Sequence, residues 1–174
     1  MKLLLHTCCA PCLMGVLPLL SGIGDAVPYW FNPNIHPYTE YKSRLDALKN
    51  FAPDAVIGDC YGLRGFVRNA PENGEKRCRF CYDWRVGECA RFAGGNNFGA
   101  FSTTLLASPY QDHEKLRQIG EKYAELYKIK FLYVDFRGNF RAAQKQAREA
   151  GVYMQKYCGC VFSEEERYLQ PRKK

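Results

Sequence analysis

The sequence predicts an α/β fold built on a parallel β-sheet, in a single domain that spans residues 1–174. Segments with strand character alternate along the chain with segments of helical periodicity, which is the pattern of strands joined by right-handed crossovers. The length suits one domain with one core, and a hydrophobic fraction of 47% is ordinary for a globular protein. We therefore expect helices to flank the sheet.

Turn residues and apolar spacing place the elements of the first half. Pro11 stands near the first turn of the first helix, Pro18 should kink that helix, and Gly22 follows its end. In the second helix, apolar residues recur at helical spacing from Tyr38 to Phe51. We expect strands at residues 2–6, 26–31 and 54–58, and helices at 11–21 and 38–51.

The second half continues the alternation. Asp112 is a candidate N-cap for one helix, and Gly151 is a candidate terminator for a later one. We expect strands at residues 98–105 and 130–135, and helices at 77–93, 112–127, 139–151 and around 163–169.

Parallel sheets of this kind place their functional sites at the carboxyl ends of the strands, near a switch in strand order. The segment HTCCAPC, residues 6–12, directly follows the first strand. We expect it to meet the segments that follow the other strands, which are NPNIHP, STTLLASP and DFRGNF.

Composition limits the partners and the compartment. The formal net charge is +7, which favours an anionic partner such as a nucleic acid. No apolar segment approaches the ~18 residues of a membrane helix, and His6 ends the first apolar run after three leucines, too early for a signal peptide. We therefore expect a cytoplasmic protein with no membrane partner.

Seven of the nine cysteines fall into three clusters: Cys8, Cys9 and Cys12; Cys78 and Cys81; and Cys158 and Cys160. Two C-x2-C pairs plus a C-x-C pair indicate metal binding, because clustered thiols in a reducing compartment more often serve metal or redox chemistry than disulfides. The spacing alone leaves a closed zinc site and an iron–sulfur cluster both open. Cys60 and Cys89 stand apart, and we expect both to be small buried hydrophobic residues.

Two common nucleotide-binding motifs, G-x-x-x-x-G-K-[ST] and G-x-G-x-x-G, are missing, and no flavin or cobalamin motif is evident. The loop after the first strand, where a pyrophosphate loop would stand, is HTCCAPC instead.

Polar residues in two loops and one helix are candidates for substrate contacts. Asn32, Asn34 and His36 belong either to a rigid Pro/Asn turn or to a ligand-binding loop, and the residue types fit both. Asp135 and Arg137 form either a local salt bridge or a proton-donating site, the latter only if the pKa of Asp135 is raised. Arg141, Lys145 and Arg148 make a basic stripe at helical spacing, which together with the PRKK tail is suited to phosphates.

Six segments also carry a family resemblance: LLHTCCAPC, FNPNIHPYTEYKSR, RCRFCYDWR, FSTTLLASPY, DFRGNF and QKYCGCVFS, in this order across residues 3–163. Together they resemble the cobalamin-independent epoxyqueuosine reductases. The resemblance implies a Rossmann-like sheet related to the adenine-nucleotide α-hydrolase (HUP-type) group. It implies reduction of the epoxide of epoxyqueuosine, at the wobble base of certain tRNAs, to the alkene of queuosine.

The resemblance also implies a 4Fe–4S cluster and an adjacent mononuclear iron. We expect Cys8, Cys9, Cys78 and Cys81 to bind the cluster. Cys12, Cys158 and Cys160 should lie nearby, where they hold the additional metal or, for the last two, cycle between dithiol and disulfide. From the residue types in the two loops and the basic stripe, Asp135 with Arg137 is the candidate proton donor, and the residues expected to face the tRNA are Asn32, Asn34, His36, Arg141 and Lys145.

The expected partners are the tRNA anticodon loop and an external electron donor such as a ferredoxin- or flavodoxin-type protein. Three rivals stay open: a zinc-stapled RNA-binding module, an iron–sulfur thiolase acting on tRNA, and a thiol–disulfide oxidoreductase that uses Cys158 and Cys160. The thiolase would need an ATP loop that the sequence lacks, and the oxidoreductase would leave five clustered cysteines without a role.

Overall fold

The computed structural model describes residues 1–58 and 61–169, and it confirms an α/β fold with a parallel sheet. The strand order is β3-β2-β1-β4-β5, and every neighbouring pair of strands is parallel. The strands are β1 (Lys2–His6), β2 (Asp25–Trp30), β3 (Val56–Ile57), β4 (Ala100–Thr103) and β5 (Lys130–Phe131).

Helices connect and flank the strands. They are α1 (Ala10–Val16), α2 (Tyr38–Phe51), α3 (Leu63–Asn69), α4 (Gly74–Gly95), α5 (His113–Tyr127), α6 (Phe140–Glu149) and α7 (Val161–Tyr168), with 3₁₀ turns at Leu17–Leu20, Thr104–Ala107 and Arg137–Asn139. None of the described helices combines the length and apolar character that crossing a membrane requires.

The core forms around β1, the central strand. Leu3, Leu4 and Leu5 are completely buried, as expected for a parallel strand that has neighbours on both sides. Helix α4 packs against β1 and β4, α5 packs on α4, and α1 packs on α6. The contact between α1 and α6 is close, since a Cβ atom at Gly15 would stand only 2.6 Å from the Cβ atom of Ala143.

Several element boundaries differ from the prediction for local reasons. The first helix is α-helical only to Val16, and the Leu17–Leu20 segment is a 3₁₀ turn, because Pro18 has no amide hydrogen to donate. β4 ends at Thr103 rather than at residue 105, because the Thr103 hydroxyl accepts a hydrogen bond from the Leu105 amide and starts a 3₁₀ turn. β5 is limited to Lys130–Phe131, so the prediction of a strand to residue 135 was wrong.

Between β3 and β4 the structure contains more helix than was predicted from the sequence. Helix α4 begins at Gly74, because the Asn73 side chain accepts hydrogen bonds from the amides of Glu75 and Lys76. Helix α3 was not predicted. At the other end of the chain, α7 begins at Val161 with Cys160 as its N-cap.

Candidate metal centre

The loop after β1 meets the segment after β4, at the point where the strand order reverses. The chain runs from β1 through β2 to β3 at one edge of the sheet, and then returns to place β4 on the other side of β1. The backbone amide of Cys8 donates to the Thr104 hydroxyl (3.0 Å), which in turn donates to the Cys8 Sγ atom (3.2 Å). The cysteine loop therefore occupies the switch point, where ligands of such sheets bind.

Three cysteines come together in this loop. The Sγ atoms of Cys8, Cys9 and Cys12 all lie within 4.8 Å of one another, and none forms a disulfide. Cys9 is the N-cap of α1 and Cys12 lies in its first turn, so the helix start fixes both positions. We call these three residues the inner group.

The geometry of the inner group suits a metal. The Cys8 and Cys9 Sγ atoms are 3.8 Å apart. Thiolates bound tetrahedrally to one ion at about 2.3 Å also stand about 3.8 Å apart. The inner group thus fits a thiophilic metal by both donor type and spacing.

One thiol of the inner group favours the ionised form. Hydrogen bonds from Cys12 and Cys9 hold the pKa of Cys8 well below its usual range, although burial opposes this. The positive charge of Arg85 and the Thr104 hydroxyl act in the same direction. Since a thiolate is the form that binds metal, Cys8 is prepared to act as a ligand.

The remaining four clustered cysteines form an outer group: Cys78, Cys81, Cys158 and Cys160. Cys78 and Cys81 lie one turn apart on α4, and the other two lie in the loop before α7. Burial is the main cause that raises the pKa of Cys81 to about 12; negative charge on Cys158 and Cys160 contributes to this rise, and the positive charge of Arg85 opposes it. The two cysteine pairs are therefore near enough to interact electrostatically.

Arg85 links the two groups. It lies one turn after Cys81 on α4, and its Nη1 atom is 3.7 Å from the Cys81 Sγ atom. Its Nη2 atom donates to the Asn32 Oδ1 atom at 2.7 Å. The positive charge of Arg85 acts to lower the pKa of Cys8 in the inner group and the pKa values of Cys81 and Cys158 in the outer group.

The loop that carries Cys158 and Cys160 is held by an arginine on α2. Arg44 donates from Nη1 to the Cys158 carbonyl (2.9 Å) and from Nη2 to the Tyr157 carbonyl (3.0 Å). Its Nε atom pairs with Glu40 at 2.7 Å, and Glu40 also accepts a hydrogen bond from Tyr153. These contacts fix the backbone on which both cysteines stand.

A glycine completes this loop. Gly159 has a φ of +149°, a conformation that side chains rarely adopt. A Cβ atom at Gly159 would also stand 3.2 Å from the side-chain Nδ2 atom of Asn34. The C-G-C spacing is therefore a backbone requirement as well as a ligand spacing.

The Asn/His loop after β2 is buried. Asn32 donates to the Thr7 carbonyl, and His36 approaches the Pro33 carbonyl through Nε2 (3.0 Å) and accepts from the Val161 amide through Nδ1 (3.3 Å). Burial lowers the pKa of His36, which agrees with a neutral ring held by these two contacts. The rigid-turn alternative accounts for Asn32 and His36, whereas the Asn34 Oδ1 atom has no hydrogen-bond partner among the described residues.

Asp135 and Arg137 form an exposed ion pair after β5. The Arg137 Nη2 atom lies 2.6 Å from the Asp135 Oδ2 atom. Hydrogen bonds from Arg137 lower the pKa of Asp135 to about 2. The raised pKa on which proton donation depends is therefore absent while this pair is intact.

The candidate phosphate contacts Arg141 and Lys145 lie on the exposed side of α6, and the Lys145 Nζ atom is 3.8 Å from the Glu149 Oε1 atom.

The prediction for Cys89 is confirmed, since it is 1% exposed and belongs to the hydrophobic core. Cys60 and the PRKK tail lie outside the described residues.

Sequence reasoning missed side chains that contact the cysteine sulfur atoms. Arg85 contacts Cys81, the Gln155 Nε2 atom lies 3.2 Å from the Cys9 Sγ atom, and the Gln111 Nε2 atom lies 3.9 Å from the Cys158 Sγ atom. A weak signal existed for Arg85, because it follows Cys81 by four residues on a predicted helix and so shares its face.

A family model described as Epoxyqueuosine reductase QueH matches residues 3–166. The chain belongs to the QueH family. The matched residues include both cysteine groups, Arg85 and the loop held by Arg44.

Curated relatives agree with this assignment. The chain is 36% identical over 175 residues to Epoxyqueuosine reductase QueH of Dehalococcoides mccartyi, an alignment that covers 98% of this chain and 96% of the relative. It is 35% identical over 173 residues to the QueH protein of Thermotoga maritima, covering 92% and 88%. For the QueH protein of Streptococcus pyogenes serotype M1, the identity is 32% over 179 residues, covering 93% and 70%.

Proposed function

We propose that this chain is a cytoplasmic epoxyqueuosine reductase, which converts the epoxide of epoxyqueuosine in tRNA to the alkene of queuosine. The observation that carries the proposal is the inner group, three free thiols placed at the sheet's switch point in a member of the QueH family. A metal–thiolate centre there would stand where folds of this type bind their ligands.

The reaction defines what the site must supply. Both carbon–oxygen bonds of the epoxide break, a carbon–carbon double bond forms, and the oxygen leaves as water after taking up two electrons and two protons. When bound, an iron–sulfur cluster supplies electrons one at a time, and an adjacent iron acts as a Lewis acid toward the epoxide oxygen.

The division of the cysteines between the two metals has two candidate forms. In the division predicted from sequence, Cys8, Cys9, Cys78 and Cys81 bind the cluster, while Cys12, Cys158 and Cys160 surround the additional iron. The close set of Cys8, Cys9 and Cys12 favours another division, in which these three hold the single ion and the outer group binds the cluster.

The Cys158–Cys160 pair has an alternative role as a reductant. Two thiols that become a disulfide release two electrons and two protons, which balances the epoxide reduction. The disulfide would then be reduced by the external donor. A ferredoxin- or flavodoxin-type protein is the proposed donor, because such carriers deliver single electrons to metal clusters.

The protons need a source near the leaving oxygen. Asp135 is the proposed donor, on the condition that Arg137 turns away from it. Arg137 is the main cause of the low pKa of Asp135, so its movement to a tRNA phosphate would return that pKa toward its ordinary range. Burial of the carboxyl under the bound tRNA would have to raise the pKa further before Asp135 carried a proton.

Binding of tRNA is proposed to combine charge with polar contacts. Arg141 and Lys145 on α6 would contact phosphates. The buried Asn34 Oδ1 atom has no hydrogen-bond partner among the described residues, and it would accept a hydrogen bond from a nucleoside once the side chains that cover it move. Asn32 and His36, whose polar atoms are occupied inside the protein, would contribute by holding this loop.

Metal analysis of protein purified without oxygen tests the proposal, followed by an assay on epoxyqueuosine-containing tRNA. We expect about four acid-labile sulfides and about five irons per chain, together with loss of the epoxide when a one-electron donor is supplied. Zinc without sulfide, and no conversion of the tRNA, would instead identify a zinc-stapled RNA-binding module.

A further inference from the structure

Among the described residues three arginines are buried, and two of them have a carboxylate partner. Arg44 pairs with Glu40 at 2.7 Å, and Arg77 pairs with Glu166 at 2.5 Å. Arg85 is equally buried, at 3% exposed, yet it forms no ion pair with any carboxylate in the described part of the chain.

The neutral contacts of Arg85 do not balance its charge. One hydrogen bond reaches the Asn32 amide oxygen, and a longer contact of 3.7 Å reaches the Cys81 Sγ atom. The Nε atom is buried and has no hydrogen-bond partner among residues 1–58 and 61–169. Burying a cation without a counter-charge is costly, and a guanidinium cannot lower that cost by losing its proton.

Sulfur atoms are the groups that can supply the missing negative charge. Arg85 contacts Cys81 of the outer group directly, and through Asn32 it is linked to the carbonyl of Thr7, the residue before Cys8 of the inner group. We infer that Arg85 is the internal counterion of the metal–thiolate centre, and thereby a positioning residue that sets how strongly the centre holds metal and how readily it accepts an electron. This inference rests on the proposed metal centre.

The physical consequence has a definite sign. Four thiolates and a divalent ion, or four thiolates and an oxidised 4Fe–4S cluster, carry about −2 in total. A fixed positive charge stabilises this state relative to protonated, metal-free thiols. It also stabilises the reduced cluster more than the oxidised one, because reduction adds one negative charge.

Two substitutions separate the charge from the shape of Arg85. Arg85→Lys keeps the charge and loses the planar fork, whereas Arg85→Gln loses the charge and keeps a hydrogen-bond donor. The control is Arg91→Gln, on the same helix, since Arg91 is exposed and already paired with Glu88. Each purified protein is challenged with a chelator, and its cluster is then titrated with a one-electron reductant.

We expect Arg85→Gln to release metal at least about tenfold faster than the unmodified protein. Its reduction equilibrium should shift about tenfold toward the oxidised form, which for a one-electron couple is about 59 mV. Arg85→Lys should stay near the unmodified protein in both measurements, and Arg91→Gln should match it.

Two outcomes would overturn the inference. Equal metal release and equal potential in all three variants would show that the centre does not depend on the charge at Arg85. Equal losses in Arg85→Lys and Arg85→Gln would assign the effect to the fork geometry instead. Zinc in place of iron in the unmodified protein would overturn the proposed reductase, while the chelator challenge would still decide the role of Arg85.

Discussion

Cys12 and Cys89 are both buried cysteines on helices, but their surroundings differ. Cys12 lies within 4.8 Å of two other sulfur atoms. The Cys89 thiol has a long contact of 4.0 Å to the Ser102 carbonyl and belongs to no group of clustered ligands among the described residues. This contrast provides a matched pair of substitutions for testing which thiols bind metal.

We expect Cys12→Ala to lose about one iron per chain and to keep its acid-labile sulfide, because both proposed divisions place Cys12 at the additional iron. Cys89→Ala should keep all of its iron and sulfide, since it removes only a small buried side chain. Iron and sulfide analysis of the two variants measures this difference. A Cys12→Ala protein with full iron would remove Cys12 from the metal centre.

Cys158→Ala then distinguishes the two divisions. It should keep its sulfide if Cys8, Cys9, Cys78 and Cys81 bind the cluster, and lose it if the outer group does.

The cysteine clusters could be found from sequence because thiols are rare and their spacing is short. Arg85 could not be found in the same way. The surroundings of Arg85 are formed by Asn32, Cys81 and Cys8, which come from three separate parts of the chain. Only the folded structure brings these residues together.

At the scale of elements, the site depends on how α2 holds the loop before α7. Glu40 and Arg44 are one turn apart on α2, and Arg44 places two hydrogen bonds on the carbonyls of Tyr157 and Cys158. The boundaries of α2 were predicted correctly from apolar spacing alone. That spacing carries no information about a loop more than 100 residues away, so the contact between α2 and the loop could not be predicted.

Replacing Arg44 by Gln should release this loop. The buried Glu40 would lose its charge partner and two loop carbonyls would lose their donors, so we expect a loss of about 3–5 kcal/mol in the free energy of unfolding. Chemical denaturation measures the stability, and the alkylation rate of Cys158 and Cys160 reports the loop.

Lys42→Gln is the matched control on the same helix, because Lys42 forms an exposed pair with Asp46. Its stability should change by less than about 1 kcal/mol. Equal effects of the two substitutions would contradict the role of Arg44 in holding the loop before α7.

At the scale of the whole molecule, alternation of strands and helices was enough to predict the parallel sheet and to place HTCCAPC at its working edge. The short strands were predicted less well, since β3 and β5 each have only two residues and hydrogen bonding to a single neighbouring strand decides their length. The net charge of +7 was also evident from the sequence, but the position of the basic residues on the folded surface was not.

Binding of tRNA should weaken steeply as salt increases, because each phosphate contact releases counterions. The double substitution Arg141→Gln and Lys145→Gln should weaken binding to all tRNA sequences and reduce the slope of log K against log salt by about one to two. Arg117→Gln with Lys122→Gln is the matched control on α5, since these cations pair closely with carboxylates, at 2.9 and 2.8 Å, whereas Lys145 lies 3.8 Å from Glu149. Filter binding at several salt concentrations measures the slopes. If both double variants keep the slope of the unmodified protein, α6 does not contact the tRNA backbone, and the binding face must be sought elsewhere on the basic surface.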